Sequence, residues 1–260
     1  MALTPDELER YKRHILLKEI GGPGQARLRD AHVTLVGMGG IGGPAALYLA
    51  AAGVGWLTLI DADTVALSNL QRQIQFATSD LGAAKVAVAK RRLGGLNPGT
   101  HIDAVEATAT ATTVQALLKG ADLVIDGTDD FDVRFAVNDA CLALGVPLVS
   151  AALGPWSGQL GVFGARTSDG ERGPCYRCFV SDAPDGVETC QTLGVVGALA
   201  GVVGSMAALE AIKIIARAGA PLIGRLWLFD ALKGEARTVA LPRDPKCPAC
   251  GEAGGDVNDR

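Results

Sequence analysis

A glycine-rich segment, residues 37–42, is the part of the chain best suited to bind a nucleotide. It reads Gly-Met-Gly-Gly-Ile-Gly, follows the apolar run 33–36 and precedes a stretch of helical composition. In such a segment Gly37 allows a tight turn, Gly39 lets the backbone approach a phosphate, and Gly42 lets strand and helix pack closely. The N-terminus of the helix presents N–H groups and a positive dipole to an anion. A phosphate-binding turn is therefore predicted.

An acidic residue follows at the distance expected for a ribose contact. Asp61 comes directly after the apolar run 56–60, which reads as the second strand of the pattern. A carboxylate about 20 residues beyond the glycines binds a ribose hydroxyl in dinucleotide-binding folds. Strand, turn, helix, second strand and acid occur in the right order, which predicts nucleotide binding. The turn alone does not separate a dinucleotide cofactor from ATP.

A cluster of amide and basic residues beyond Asp61 favours a triphosphate. It consists of Asn69, Arg72, Gln73 and Lys85. Hydrogen-bond donors and cations are what phosphate groups need while charge develops on them. A dehydrogenase that uses NAD would explain the glycines and Asp61, but it has less use for this cluster. A solvated loop and helix face is the competing interpretation of the same residues.

Three carboxylates follow the apolar run 123–125, and two of them are candidates for separate roles. Asp129, within Asp-Gly-Thr-Asp-Asp, is predicted at the carboxyl end of a parallel strand, where ligands bind in such sheets. A carboxylate there can hold Mg²⁺ on nucleotide phosphates. Asp130 is better placed to cap the helix that follows. The segment thus predicts a magnesium ligand beside a helix cap.

Four of the six cysteines form two short pairs. The pairs are Cys175 with Cys178 and Cys247 with Cys250, each in a Cys-x-x-Cys spacing. Together they supply four thiolates in the tetrahedral arrangement that zinc prefers, and four protein ligands leave no open position for water. We therefore expect a structural zinc site that joins the end of the chain to a distant loop.

Composition limits the class of protein. The chain has 260 residues, is 48% hydrophobic and has a formal net charge of −4 without a long basic run, so no nucleic-acid partner is expected. Its first residues lack the features of a secretory signal, which predicts a cytoplasmic, reducing location. The uncharged segment 193–209 approaches the length of a membrane helix, but Glu210 and Lys213 follow at once. We expect a helix buried in a core or subunit interface, and no membrane contact.

The order of apolar runs predicts the fold class. A helical arm at 5–18 precedes short apolar runs that alternate with helical stretches, which is typical of an α/β protein with a doubly wound, Rossmann-like and mostly parallel sheet. After residue 151 the pattern changes to strands with polar turns, which predicts an antiparallel continuation of the sheet. The expected strands of that continuation are 158–163, 225–229 and 237–241.

The motifs in combination resemble one known family. The segments GMGGIG, DxDxVxLSNLQRQ, DGTDDFDVR, PCYRC and CPAC follow one another between Glu9 and Gly251. In this order the chain resembles the ubiquitin-activating-enzyme-like adenylyltransferases of molybdopterin and thiamine biosynthesis, the MoeB/ThiF family. The resemblance implies ATP bound by Gly37, Gly39, Gly40, Gly42, Asp61, Asn69, Arg72, Gln73 and Lys85, Mg²⁺ on Asp129, and zinc on Cys175, Cys178, Cys247 and Cys250.

The resemblance also implies a reaction. The C-terminal glycine carboxylate of a small ubiquitin-fold sulfur carrier protein ending in Gly-Gly would attack the α-phosphate of ATP, giving an acyl-adenylate and pyrophosphate. Arg13 is similar to an arginine that reaches the ATP site of the other subunit, so a homodimer is implied. The implied catalytic residues are Arg13, Arg72, Lys85 and Asp129. Alternatives that remain are an NAD-dependent dehydrogenase, a tRNA-modifying dehydratase of the same superfamily and a non-catalytic carrier-binding adaptor.

The implied domain is single and covers residues 1–251. Its nucleotide-binding half is 1–150, its carrier-binding and zinc half is 151–251, and 252–260 is expected to be a flexible tail. The chain shows no sulfurtransferase domain after the second cysteine pair, so a separate sulfurtransferase or cysteine desulfurase is expected. The sequence leaves open whether the carrier serves molybdopterin synthesis, thiamine synthesis, tRNA thiolation or several of these.

The sequence leaves two interpretations of Cys190 open and places an unusual residue at position 130. Cys190 lies in a polar loop just before a helix, whose dipole can lower a thiol pKa. In one interpretation the Cys190 thiol captures either the activated carrier or a persulfide. In the other interpretation Cys190 has no role in the reaction. Asp130 departs from the family pattern, in which Asn is more frequent. A carboxylate there adds negative charge beside the expected metal.

Overall fold

A computed structural model describes residues 3–167, 169–183 and 194–251. The described residues form one eight-stranded sheet with helices on both faces, as the sequence predicts. The strands are β1 (His32–Val36), β2 (Trp56–Ile60), β3 (His101–Val105), β4 (Leu123–Asp126), β5 (Leu148–Leu153), β6 (Ser157–Phe163), β7 (Arg225–Asp230) and β8 (Glu235–Ala240). The helices are α1 (Pro5–Arg10), α2 (Lys12–Ile15), α3 (Gly21–Asp30), α4 (Gly42–Ala52), α5 (Lys85–Leu96), α6 (Val114–Leu117), α7 (Phe131–Leu144), α8 (Tyr176–Phe179) and α9 (Gly197–Ala216).

The strand order is β3-β2-β1-β4-β5-β6-β7-β8. Pairings from β3 to β5 are parallel, and those from β5 to β8 are antiparallel. Both the Rossmann-like order and the antiparallel continuation are therefore confirmed. Strands β2 and β3 lie on one side of β1, and β4 and β5 lie on the other, so the strand order reverses between β1 and β4. A crevice forms at such a point, outside the carboxyl ends of the strands, and ligands bind there.

Alternate residues of each strand fill two separate cores. Leu35 of β1 packs with α3, α4, α5 and α9 on one face, and the next residue, Val36, packs with α6, α7 and Tyr176 on the other. Successive side chains of a strand point to opposite faces, so a strand covered on both sides must be apolar at nearly every position. This explains the continuous apolar runs in the sequence.

Two helices differ from the sequence prediction. Helix α3 was not expected, because its first residues, Gly-Gly-Pro-Gly, have the composition of a turn. Pro23 is tolerated because it lies in the first turn. The sequence predicts a helix over residues 81–93, but α5 begins at Lys85. Residues 81–84 instead extend back to pair with residue 64 through the Thr64–Ala84 bridge. That extension brings the Lys85 backbone N–H to the carbonyl of Asp63 at 3.0 Å.

The apolar segment near residue 200 forms helix α9. By length and composition α9 could cross a membrane, but one face of it is buried in the first core, as expected for a core helix. The opposite face exposes Val202 and Leu209, which lie seven residues apart and hence on the same side of the helix. Helix α9 therefore has a second, exposed apolar surface, which is available for contact with another protein chain.

Candidate active site and metal centre

A cavity of about 1020 Å³ lies where the crevice was expected. It begins at the carboxyl ends of β1, β2 and β4 and continues along β6, β7 and β8. The structure brings most of the predicted nucleotide residues to its wall, whereas Gly42 and Arg13 do not line it. The predicted residues on the wall are Gly37, Gly39, Gly40, Asp61, Asn69, Arg72, Gln73, Lys85 and Asp129.

The glycine turn has the geometry that its spacing predicts. Gly37 has φ of +88°, a conformation that residues with a Cβ rarely adopt. A Cβ on Gly42 would lie 1.9 Å from the Gly37 carbonyl oxygen, so only glycine allows α4 to begin this close to the end of β1. Gly42 thus shapes the cavity from behind its wall.

A buried glutamine that the sequence analysis did not single out supports this turn. The Gln75 carboxamide nitrogen donates to the carbonyls of Met38 and Gly39, at 2.8 and 3.2 Å. Gln75 is buried and lies two positions after Gln73 in the basic and amide segment. Its hydrogen bonds fix the orientation of these two carbonyls within the turn. No spacing rule in the sequence distinguishes it from its neighbours.

Asp61 is fixed at the end of β2 by backbone donors. The Met38 N–H donates to one carboxylate oxygen at 2.7 Å, and the Asp63 N–H donates to the other at 2.8 Å. Burial raises the pKa of Asp61, while the Lys85 ammonium and these hydrogen bonds act against that rise. The carboxylate therefore ties the glycine turn to β2 and borders the cavity, where a ribose contact requires it.

Lys85 is buried and paired with two carboxylates. Its ammonium lies 2.7 Å from the Asp63 carboxylate and 4.0 Å from that of Asp61. Asp63 was not singled out as a site residue, although it stands two positions after Asp61. The side chain of Asp63 is 72% exposed, so a competing anion in the cavity can replace it as the partner of the ammonium.

The remaining members of the basic and amide cluster converge on the same wall. Arg72 donates to the Ser68 carbonyl at 3.0 Å, and the Asn69 side-chain oxygen accepts the Ala66 N–H at 3.1 Å. Gln73 is buried at the wall, and its side-chain oxygen has no hydrogen-bond partner within the described chain. A buried amide oxygen without a partner is costly, which is expected where a ligand completes the site.

The carboxylates after β4 have separate tasks. Asp126 is buried and already saturated: it accepts the N–H and hydroxyl of Thr128 and the hydroxyl of Ser150. Asp130 accepts the backbone N–H groups of residues 132 and 133 and caps α7, as predicted. Asp129 is exposed at the cavity, and no hydrogen bond or ion pair holds its carboxylate within the described residues. Of the three, Asp129 is the one suited to a metal ion.

Arg134 connects the segment after β4 to β5. Its guanidinium lies 3.7 Å from Asp126 and donates to the carbonyls of Thr128 and Ala151 and to the hydroxyl of Ser150. The side chain is 6% exposed, so these contacts replace water almost completely. Arg134 is the last residue of the motif DGTDDFDVR, but the sequence analysis assigned it no task.

The four paired cysteines meet, as predicted. Their sulfur atoms all lie within 4.8 Å of one another, with 3.5 Å between Cys175 and Cys247 and 3.4 Å between Cys178 and Cys250. Zinc–sulfur bonds of about 2.3 Å place the sulfurs of a tetrahedral site about 3.8 Å apart. The hydrogen bond with the Cys175 thiol lowers the pKa of the Cys178 thiol to about 5. The cluster fits one zinc ion in a closed, structural site.

The cysteine cluster is attached to α7 as well as to the C-terminal segment. The Asn138 side chain accepts the Tyr176 N–H at 2.7 Å, and Arg177 forms an ion pair of 3.0 Å with Asp139. Cys141, also on α7, is buried, and burial raises the pKa of its thiol, which agrees with a packing role. The first cysteine pair is therefore fixed to the same helix whose N-terminus lies at the cavity.

Three predictions are not tested by the described part of the chain. Arg13 is exposed on α2, and its reach toward another subunit stays a prediction. Cys190 lies outside the described residues, and so does the expected tail at 252–260. None of the three histidines, all of which are described, lines the cavity.

Comparison with known proteins identifies the family. The model of the ThiF family matches residues 11–249. The chain belongs to the ThiF family. It is similar to the sulfur carrier protein adenylyltransferase of Thermus thermophilus, with 44% identity over 97% of this chain and 94% of that protein. It is also similar to the molybdopterin-synthase adenylyltransferase of Escherichia coli, with 43% identity over 96% of this chain and 99% of that protein.

A solved structure shares the fold. The crystal structure of Escherichia coli MccB with MccA-N7isoASN aligns with a TM-score of 0.82 at 24% identity, covering 94% of this chain and 75% of the MccB chain. At this identity the likeness extends to the fold alone. The fold is therefore shared with a protein outside the close relatives.

Proposed function

We propose that this protein uses ATP to adenylylate the C-terminal glycine carboxylate of a small ubiquitin-fold sulfur carrier protein. The observation that carries the proposal is the extent of the cavity, which joins the glycine turn and Asp129 at one end to the antiparallel strands at the other. A nucleotide would occupy the first part. An extended chain end would enter along β6, β7 and β8.

The proposed reaction forms one bond and breaks one. A carboxylate oxygen of the carrier attacks the α-phosphorus of ATP, the bond from that phosphorus to the bridging oxygen breaks, and pyrophosphate leaves with the electron pair. A chain-terminal carboxylate has a pKa of about 3.3 and needs no general base at neutral pH. The protein must instead bring the negatively charged carboxylate of the carrier to the negatively charged triphosphate of ATP. It can do so by positioning the two reactants and by neutralising their charge with cations.

Each wall residue has a proposed task in this reaction. Asp61 would bind the ribose, and Asn69, Arg72, Gln73 and Lys85 would contact the phosphates. Bound at Asp129, Mg²⁺ would supply charge neutralisation to the phosphates. The ammonium of Lys85 would exchange the exposed Asp63 carboxylate for phosphate oxygens, which its 2.7 Å contact with Asp63 and its place on the wall allow.

The two halves of the chain would serve different ligands. Residues 1–150 contain the glycine turn and Asp129, and residues 151–251 contain β6, β7, β8 and the cysteine cluster. We assign the nucleotide to the first half and the carrier tail to the second, within one domain that shares a single sheet. A separate sulfurtransferase or cysteine desulfurase would then supply sulfur to the activated carrier, in the cytoplasm.

We also propose a homodimer with shared active sites. The outer face of α9 exposes Val202 and Leu209, which are 42% and 48% accessible, and Arg13 is exposed on the arm. Apolar side chains seven residues apart on one helix face suit a two-fold contact between identical chains. In such a dimer Arg13 of one chain would approach the triphosphate of the other.

Pyrophosphate exchange tests the proposed reaction. Labelled pyrophosphate should enter ATP only when a carrier ending in Gly-Gly is present, and a carrier that lacks the last glycine should abolish the signal. Exchange that is independent of the carrier, or that requires tRNA in its place, would disprove the assignment. Binding of NAD in preference to ATP would favour the dehydrogenase.

Mixing two inactive variants tests the shared site. Arg13→Ala and Asp129→Ala chains should each be inactive alone. A mixture should regain about a quarter of wild-type exchange, because half the dimers are mixed and each has one intact site. A monomer in light scattering, or no recovery after confirmed subunit exchange, would argue against the dimer while leaving the reaction itself to the carrier assay.

A further inference from the structure

A second cleft lies at the opposite end of the sheet. Its volume is about 630 Å³, within the range of sites for small molecules. It lies beside the start of β5, next to Pro147, whereas the large cavity meets the other end of β5 at Ala152 and Leu153. Six residues of strand span about 17 Å, and the two cavities share no lining residue. The second cleft is therefore separate from the proposed ATP site.

The wall of this cleft is cationic. Arg166, Arg172, Lys213 and Arg217 line it, and none of the described lining residues is acidic. Lys213 forms an ion pair of 2.6 Å with the buried Glu210, which balances its charge. Arg166 donates to the Gly170 carbonyl at 2.8 Å, and within the described residues no ion pair joins its guanidinium to a carboxylate. Three guanidinium groups thus face one cleft in a chain whose formal net charge is −4.

Two local arrangements hold these charges at the cleft although each of them destabilises the folded protein. Arg166 and Arg172 are partners in an antiparallel bridge, and like charges opposite each other in such a pair are destabilising. Arg217 has φ of +57° and ψ of +45° and is the only residue other than glycine with positive φ in the described part of the chain. Helices commonly place glycine at this position, because a Cβ there costs free energy. Strain of this kind concentrates at ligand sites.

The floor of the cleft is apolar. Leu142, Pro147, Pro221 and Ile223 contribute to it. A ligand that suits this cleft has an anionic group, which the arginine guanidinium groups can bind, and an apolar body, which can pack on the apolar floor. Phosphate offers three acceptor oxygens and about two negative charges, and planar guanidinium groups bind it with paired hydrogen bonds.

We propose that this cleft is a second ligand site, which binds a small organic phosphate with an apolar body. The site is formed by the bridged residues Arg166 and Arg172, which lie in sequence between β6 and the first cysteine pair, and by the C-terminal turn of α9. Because Leu142 lines the cleft and also packs against the cysteine cluster, a bound ligand would contact the base of the metal centre.

The test measures binding with the ATP cavity blocked. The full chain, saturated with Mg²⁺ and a non-hydrolysable ATP analogue, is titrated with phenyl phosphate, inorganic phosphate and phenol in separate arms of a calorimetric experiment. Phenyl phosphate should bind, inorganic phosphate should bind about tenfold more weakly because it leaves the floor uncovered, and phenol should not bind. Equal affinities for both phosphates would disprove the apolar-body requirement, and no binding of either would disprove the site.

Variants locate the binding and separate it from folding. Arg166→Gln with Arg172→Gln should weaken phenyl phosphate binding at least tenfold, whereas Arg92→Gln with Lys119→Gln removes two exposed charges elsewhere and should not. Arg217→Gly should weaken binding while keeping or raising Tm, because glycine relieves the positive φ. Unchanged binding in Arg217→Gly and in the first double variant would overturn the proposal. So would an acidic peptide that binds more tightly than phenyl phosphate, which would indicate a protein-docking surface.

Discussion

The guanidinium of Arg134 lies 5.9 Å from the ring centre of Tyr176. Tyr176 stands between the two cysteines of the first pair, and Arg134 donates to the Thr128 carbonyl one residue before the proposed magnesium ligand. A single buried side chain therefore touches both the segment that presents Asp129 and the knuckle that would bind zinc. The cysteine cluster and the proposed active site are therefore linked through one side chain, although Asp129 and Cys175 are 46 residues apart in sequence.

Arg134 should be essential for stability because its charge is buried with that of Asp126. Arg134→Met leaves the Asp126 carboxylate without its cation and two backbone carbonyls without their donor. We expect a loss of about 3–5 kcal/mol in the free energy of unfolding, measured by urea denaturation. Arg92→Met, at an exposed position of α5, should change it by less than about 0.5 kcal/mol. Similar losses in both variants would contradict this account of the buried pair.

Gly42 should tolerate no side chain. In Gly42→Ala the new Cβ would meet the Gly37 carbonyl oxygen at 1.9 Å, so either the glycine turn or the start of α4 must move. We expect a loss of more than about 2 kcal/mol in unfolding free energy and weaker ATP binding in whatever protein remains folded. The measurement is thermal unfolding with and without ATP.

A matched glycine provides the control for that substitution. Gly94 is also helical, in α5, and a Cβ there would meet nothing within 4 Å. Gly94→Ala should stabilise the protein by about 0.5–1 kcal/mol, because alanine loses less conformational freedom in a helix. If the two variants behave alike, helix propensity and not the contact with Gly37 decides the effect.

The sequence predicted the parts of the site that depend on local chemistry. Gly37 and Asp61 follow from the order of strand, turn and helix, and the cysteine pairs follow from their spacing. Asp130 is a helix cap because a carboxylate before an apolar helical stretch accepts its first N–H groups. In each case the signal is a short motif or a fixed order of short elements.

Other parts depend on contacts that the sequence does not display. Arg134 is a charged residue within a helix, and only the sheet shows that it faces Asp126 and the carbonyl of Ala151. Helix α3 was missed because tertiary packing against α9 overrides the turn-like composition of its first residues. Gln75 could be recognised only once its two carbonyl partners were placed.

The cysteine cluster should hold one zinc per chain. Replacing Cys247 and Cys250 together by serine removes two thiolates, so metal analysis should find no zinc in this variant. Because the second pair fixes the C-terminal segment to the loop at Cys175, proteolysis of that segment should become faster. Cys141→Ser is the control, since this cysteine lies outside the cluster, and its zinc content should match wild type. Full zinc occupancy in the double variant would exclude the four-thiolate site.

Asp129 and Asp130 offer the sharpest separation of catalytic and structural tasks. Each substitution by asparagine removes one negative charge, and the two positions are adjacent at the same cavity. Asp130→Asn should keep the cap of α7, since asparagine caps as well as aspartate, and pyrophosphate exchange should stay near normal. Asp129→Asn should unfold at the same urea concentration as wild type and lose exchange by about 10²-fold or more, because charge at the phosphates would no longer be neutralised there. Equal losses of exchange in both variants would mean that the total negative charge at the cavity matters, and not a specific ligand. Normal exchange in Asp129→Asn would exclude Asp129 as the magnesium ligand.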